Sequence, residues 1–257
     1  MNEVDIPLDA EGLEERRAAG RELVTAFRNS GVDVVDNVDT APGRPAVTLT
    51  IPDHNSLLQQ SGGDAALVPD AAARLQRLMT DSGIDALVKV VEWGPGIALK
   101  VAVASPQDAH LLSQLVMDNL STEHRAALRL RNTFAAAEIS KSEIRAEAGV
   151  VRLGDLSAED AVVLYRALGG EEDPIKDLDL DDWRTLDLLT ELLQKTVSAA
   201  ADADVTARAK PACATCIAAR PHRITLGSLY ADNAQHLADA LAASVQARTC
   251  PAPPPTS

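Results

Sequence analysis

The sequence predicts an α+β fold in which tandem helix–β-hairpin–helix repeats form antiparallel sheet covered by helices, with an all-helical insertion. Two observations predict it. With a shift of 52 residues and no gap, residues 30–33 (SGVD) superpose on residues 82–85 (SGID). In each copy, apolar residues at helical spacing precede the glycine, and two stretches with strand character follow it.

The first copy covers residues 11–58. Its helix, about 11–29, ends before Gly31, because glycine readily adopts the left-handed conformation that terminates helices. The stretches "VDVV" and "PAVTLTI" then predict two strands around a turn-rich loop. Asp53 follows as the cap of a short helix that contains Leu57 and Leu58.

In the second copy the helix runs over about 66–80, and the strands "IDALVKVVEW" and "GIALKVAVA" are joined through residues 94–96. Ser105 caps the next helix, with Pro106 at its first position and Asp108 close to a capping box. Alternation in "ALKVAV" predicts that one face of the sheet is buried and the other is wetter.

The rest of the chain predicts a helical segment followed by a looser third copy. Residues 121–200 show helical signals throughout, whereas "HRITLGSLYADNAQHLADAL" is similar to "GIALKVAVASPQDAHLLSQL" of the second copy. The predicted organisation is a flexible N-terminus (1–10), two αββα repeats (11–120), a helical insertion or subdomain (121–200), a third ββα unit (201–248) and a disordered proline-rich tail (249–257).

The composition argues against several classes of function. A formal net charge of −14 repels phosphate backbones, and an aromatic content of 2% disfavours a large ring-lined ligand pocket. The acidic start lacks the apolar core of a signal peptide, and no apolar run approaches the roughly 18 residues of a membrane span. Three cysteines, an odd number, argue against a disulfide framework. We therefore expect a cytoplasmic protein.

The stretch "PACATCIAARPH" holds the candidate metal ligands. Cys213 and Cys216 have the spacing of half a structural zinc site, to which His222 adds a third ligand and Cys250 or His236 a fourth. The alternative is a loop with free thiols in a reducing compartment, because the second half of the site lacks paired spacing. The sequence therefore predicts no cofactor, with zinc as the alternative hypothesis.

A basic stretch, "HRAALRLR", carries the candidate anion contacts. Arg125 and Arg129 lie one helical turn apart, and Arg131 follows them. This stripe either meets nucleic acid or neutralises nearby acids such as Glu123 and Glu138. The negative net charge favours the second interpretation.

No phosphate-binding glycine loop, nucleophile elbow or zinc-protease motif occurs in the sequence. The order helix, two strands, helix, two strands, helix resembles that of small acidic secretion-chaperone-like domains in element order only, and fold does not decide function. The leading hypothesis is thus a non-catalytic interaction or chaperone-like protein. The alternatives are a regulatory or nucleic-acid-associated protein with a zinc-stabilised loop and a basic helix, and an enzyme whose site is assembled between repeats.

Overall fold

A computed structural model describes residues 10–38, 44–52, 68–94, 96–139, 143–176, 178–180, 182–211 and 222–249. The chain divides into two compact units, Met1–Leu120 and Ser121–Ser257. Each unit has a hydrophobic core of its own, the first around Leu23 and Val101 and the second around Leu164 and Leu193.

The first unit is a four-stranded antiparallel sheet with helices on one face. The sheet order is β1-β2-β4-β3, so that β2 and β4 are central and β1 and β3 are edges. Helix α1 packs on α3 and on strands β1 and β2, and α2 packs on β3. The elements are α1 (Ala10–Asn29), β1 (Val35–Val38), β2 (Val47–Ile51), α2 (Val68–Asp81), β3 (Ala86–Trp93), β4 (Gly96–Val103) and α3 (Pro106–Asp118).

Among the described residues, the second unit repeats this order and adds a helix and a 3₁₀ turn. Its sheet order is β5-β6-β8-β7, which gives each strand the same place that its counterpart has in the first sheet. The elements are α4 (Thr122–Ala136), β5 (Arg145–Glu147), β6 (Val150–Ser157), α5 (Ala158–Ala167), a 3₁₀ helix (Asp173–Ile175), α6 (Trp183–Ala201), β7 (Ala207–Lys210), β8 (Arg223–Leu229) and α7 (Ala231–Thr249).

The predicted α+β class is confirmed, since both sheets are antiparallel and carry helices. The expectation that residues 121–200 are all helical is wrong, because β5 and β6 form a hairpin there. Its two-residue turn, Ala148 and Gly149, has positive φ at both positions, which suits the twist of a tight hairpin. Strand β6 then runs directly into α5 at the cap Ser157, so its alternation merged with the helical pattern.

The two predicted copies in the first unit share their backbone pattern over the described residues of 21–51 and 73–103. Gly31 and Gly83 both have left-handed φ, 78° and 71°. After each glycine an amide donates back into the helix, from Val32 to Phe27 O and from Ile84 to Met79 O. The Ser105 cap is confirmed by its hydrogen bond from the Asp108 amide, whereas the Asp53 cap and residues 54–58 lie outside the described residues, as do 1–9 and 250–257.

The same helix end precedes both hairpins of the second unit. Glu138 (φ 64°) takes the place of the glycine where the Ile139 amide donates to Phe134 O. Asp202 (φ 49°) does so where the Ala203 amide donates to Ser198 O. The chain is therefore built from four helix–hairpin copies, and the predicted third copy is the fourth of them.

Candidate protein-binding surface

Strand β3 is the longer edge strand of the first sheet, and a side chain closes only its beginning. The Ala104 amide donates to Asp85 O. The backbone N–H and C=O groups of the odd-numbered residues in this segment therefore point toward β4, and those of the even-numbered residues point away from it. Gln76 of α2 occupies the first outward groups: its amide donates to Ala86 O at 2.8 Å, and its oxygen accepts from the Val88 amide at 2.8 Å. The side chain thereby takes the place of a neighbouring strand.

Beyond this glutamine clamp the edge is open as far as the described residues show. The Val88 carbonyl, both backbone groups of Val90 and the Glu92 amide point away from β4, and no strand among the described residues pairs with them. The side chains beside this edge are apolar and exposed: Leu87 by 49%, Val90 by 40% and Trp93 by 44%. Long apolar strand edges of this kind pair readily with other chains.

The face of the first sheet that points away from the helices carries positive charge. Lys89 and Lys100 lie directly opposite each other in the β3–β4 register. Along each strand, the residues that point to this face alternate with those that point to the core, and none of the described residues on this face is aspartate or glutamate. Next to Leu87, an open hollow of about 410 Å³ is lined by Arg16 and Arg44 and also by the acidic residue Asp85.

The corresponding face of the second sheet is more strongly cationic. Arg145 lies opposite Arg152, and Lys210 lies opposite Arg223. Arg208, the fifth cation, is exposed and makes no hydrogen bond or ion pair within the described part of the chain. Two carboxylates share the face, Glu147 and Asp155.

Asp155 is held by its neighbours on this face. It accepts from Thr225 Oγ1 at 2.6 Å and from Lys210 Nζ at 3.1 Å. Partial burial raises the pKa of this carboxyl group, but the hydrogen bonds from Thr225 and Lys210 and the charge of Arg223 outweigh it, so the pKa lies below its ordinary value. Asp155 therefore remains ionised and neutralises part of the charge around it.

The basic stretch of the sequence does not form an open cationic stripe. Arg125 is exposed on α4, but Arg129 forms an ion pair with Asp239 of α7. Arg131 is half-buried, and burial lowers its pKa. These three residues are on one helix, as expected, and one of them is neutralised within the unit.

Most of the predicted zinc ligands, Cys213, Cys216 and Cys250, lie outside the described residues. His222 is half-buried immediately before β8, and His236 lies on α7. No group of three histidine, cysteine, aspartate or glutamate side chains suited to a metal occurs among the residues that the structure describes. The zinc hypothesis thus stays a prediction.

Sequence reasoning missed the glutamine clamp and the cations on the open sheet faces. A second clamp, in which Gln194 Oε1 accepts from the Ala207 amide at 3.0 Å, covers the first residue of β7. In hindsight the signal was a glutamine on the helix before an edge strand in both units. The described helices include none long and apolar enough to cross a membrane.

Comparisons with known proteins found no matching family model, no curated protein with significant similarity and no matching solved structure.

Proposed function

We propose that this protein is a non-catalytic interaction protein that binds an extended segment of another protein along the open edge of β3. The observation that carries the proposal is the edge from Val88 to Glu92, where outward backbone groups and exposed apolar side chains lie together. Strand addition uses these two features, since backbone hydrogen bonds supply affinity and alternate side chains supply specificity.

The distribution of the aromatic residues supports the proposal. The chain has six aromatic side chains. Phe27, Phe134 and Tyr165 are buried, whereas Trp93, Trp183 and Tyr230 are exposed by 44%, 57% and 72%. Tryptophan and tyrosine are enriched in protein interfaces, and Trp93 lies at the end of the open strand.

A partner fits this edge better than a second copy of the chain. Two copies each carry a net charge of −14 and repel one another at low ionic strength. Lys89 of β3 and Lys100 of β4 instead suit a partner segment that contains aspartate or glutamate. We also place the protein in the cytoplasm, which the odd number of cysteines supports.

The nucleic-acid alternative has less support, because Arg129 is paired with Asp239 and Arg131 is half-buried. An enzyme site would need polar groups that converge in a concave pocket. The β3 edge offers backbone groups and apolar side chains, which suit binding.

The test is capture of the partner from native lysate, followed by titration of the purified partner against variants. We expect Leu87→Ser with Trp93→Ser to weaken binding by about tenfold or more, since exposed apolar anchors carry much of the binding free energy. Val90→Pro removes the outward amide but keeps an apolar side chain, and we expect it to weaken binding as well.

The matched control is Leu111→Ser with Leu188→Ser, on helices α3 and α6, because these leucines are exposed to a similar extent, 44% and 43%. Binding that survives the β3 variants, or that falls equally in the control, would refute the proposal. Self-association that Val90→Pro abolishes would show instead that a second copy occupies the edge.

A further inference from the structure

The second unit has a surface of different chemistry on the face of its sheet that points away from the helices. Five cations lie there: Arg145, Arg152, Arg208, Lys210 and Arg223. We name these residues the cationic sheet face. They concentrate positive charge in a chain whose net charge is −14, so the placement runs against the overall composition.

The register makes this arrangement unfavourable for an isolated sheet. Residues directly opposite each other in antiparallel strands have Cβ atoms about 4.5–5.5 Å apart, and like charges there destabilise the pair. Arg145 faces Arg152 in this way, and Lys210 faces Arg223. An anionic ligand beside Arg223 would reduce the repulsion between Lys210 and Arg223.

The carboxylates within the face relieve only part of the repulsion. Glu147 accepts ion pairs from Arg145 at 3.3 Å and from Arg152 at 3.0 Å. Asp155 binds Lys210 at 3.1 Å. Arg208 and Arg223 form no ion pair with any other described residue, although the charge of Arg223 acts on Asp155.

We propose that the cationic sheet face binds an acidic segment of a protein, with its carboxylates on Arg208 and Arg223. The planar guanidinium group accommodates a carboxylate through two parallel hydrogen bonds, and four of the five cations are arginines. The cationic sheet face belongs to the second unit alone, so binding there can be tested independently of the β3 edge.

A polypeptide fits this face better than a nucleic acid. Glu147 and Asp155 lie among the cations and would repel a continuous phosphate backbone, and the net charge of the chain adds to that repulsion. None of the described residues in strands β5 to β8 is aromatic, so these strands lack the rings on which unpaired bases stack.

The experiment measures the fluorescence anisotropy of a short labelled peptide of alternating glutamate and valine with the full chain. Peptides of alternating glutamine and valine and an oligothymidylate of similar length serve as competing probes. We expect the glutamate peptide to bind, salt to weaken it, and Arg208→Gln with Arg223→Gln to lower its affinity by about tenfold.

The matched control is Arg125→Gln with Arg184→Gln, which removes two exposed arginines of the same unit and changes the net charge equally. Far-UV circular dichroism and thermal melting establish that both double variants are folded. If the double variant Arg208→Gln with Arg223→Gln has a lowered melting temperature, the affinity of Arg208→Gln alone is measured instead, because Arg208 is exposed.

The inference would be overturned if the glutamate peptide did not bind, if the control variant lost affinity equally, or if the glutamine peptide bound with equal affinity. Tighter binding of oligothymidylate that depends on Arg208 and Arg223 would also overturn it, in favour of a nucleic-acid surface.

Discussion

Left-handed backbone conformations end the helices that precede the four hairpins. Two of these positions are glycines, Gly31 and Gly83, and two are Glu138 and Asp202. For a residue with a Cβ atom this conformation costs about 1–2 kcal/mol, whereas glycine adopts it without that cost. The same helix end therefore costs more free energy in the two copies that lack the glycine.

Substitution at these positions has opposite expected effects. Gly83→Ala should lower the free energy of unfolding by about 1 kcal/mol, because its Cβ would meet nothing within 4 Å and only the backbone conformation opposes it. Glu138→Gly should raise the free energy of unfolding by about 0.5–1 kcal/mol, after the entropy cost of glycine is subtracted. Urea denaturation of the two variants measures both effects, and a change of the same sign in both would contradict this account.

Two of the four helix ends could be predicted from the sequence. Gly31 and Gly83 marked the first two copies because glycine after a helix is a strong signal. The third copy escaped notice because Glu138 in "FAAAEIS" occupies the equivalent position and does not resemble a helix stop. Its spacing from Phe134 and Ile139 matches that of Gly31 from Phe27 and Val32.

At the scale of elements, the glutamine clamps decide how much of each edge strand is accessible. Gln76 satisfies two backbone groups of β3, at Ala86 and Val88, and Gln194 satisfies one of β7, at Ala207. Because β3 extends from Ala86 to Trp93, most of its outer edge lies beyond the clamp. The clamp thus sets the end of the proposed binding edge.

Gln76→Ala should lower the free energy of unfolding by about 1–3 kcal/mol, since each of two hydrogen bonds contributes about 0.5–1.5 kcal/mol. The Val88 amide should exchange its hydrogen faster, which amide exchange followed by NMR detects. Gln114→Ala is the control, because this exposed side chain contacts His110 and no strand. Unchanged protection of Val88 would show that the clamp does not hold the edge.

The sequence predicted β3 and β4 with their hairpin but not which strand is the edge. That order arises when β2 and β4 pair across the two copies, which places the first hairpin beside the second. A glutamine on a helix carries no sign of such pairing, because the residue is equally common on solvated helix faces. The binding surface therefore became visible only with the sheet order.

At the scale of the whole molecule, the two units have separate hydrophobic cores. Leu23→Ala removes a fully buried side chain of the first core and should lower the stability of that unit by about 2–5 kcal/mol. Amide protection in the core strands β6 and β8 should persist under conditions that unfold the first unit. Simultaneous loss of protection in both units would contradict separate folding.

The distribution of charge over the molecule could be predicted only in part from the composition. Composition showed a strongly acidic chain and so favoured protein partners over nucleic acid. It did not show that lysines and arginines gather on the open faces of both sheets, because residues such as Lys100 and Arg223 meet their cross-strand neighbours only through the register. The candidate surfaces are thus a property of strand pairing, and the sequence pattern supplied only the strands.

Hydrogen–deuterium exchange of the full chain, alone and saturated with its captured partner, tests the central claim most directly. Binding along the open edge predicts that the amides of Val90 and Glu92 become protected, while those of Leu87 and Val91, already paired with β4, change little. Protection that appears elsewhere, with β3 exchanging as in the free protein, would contradict the claim.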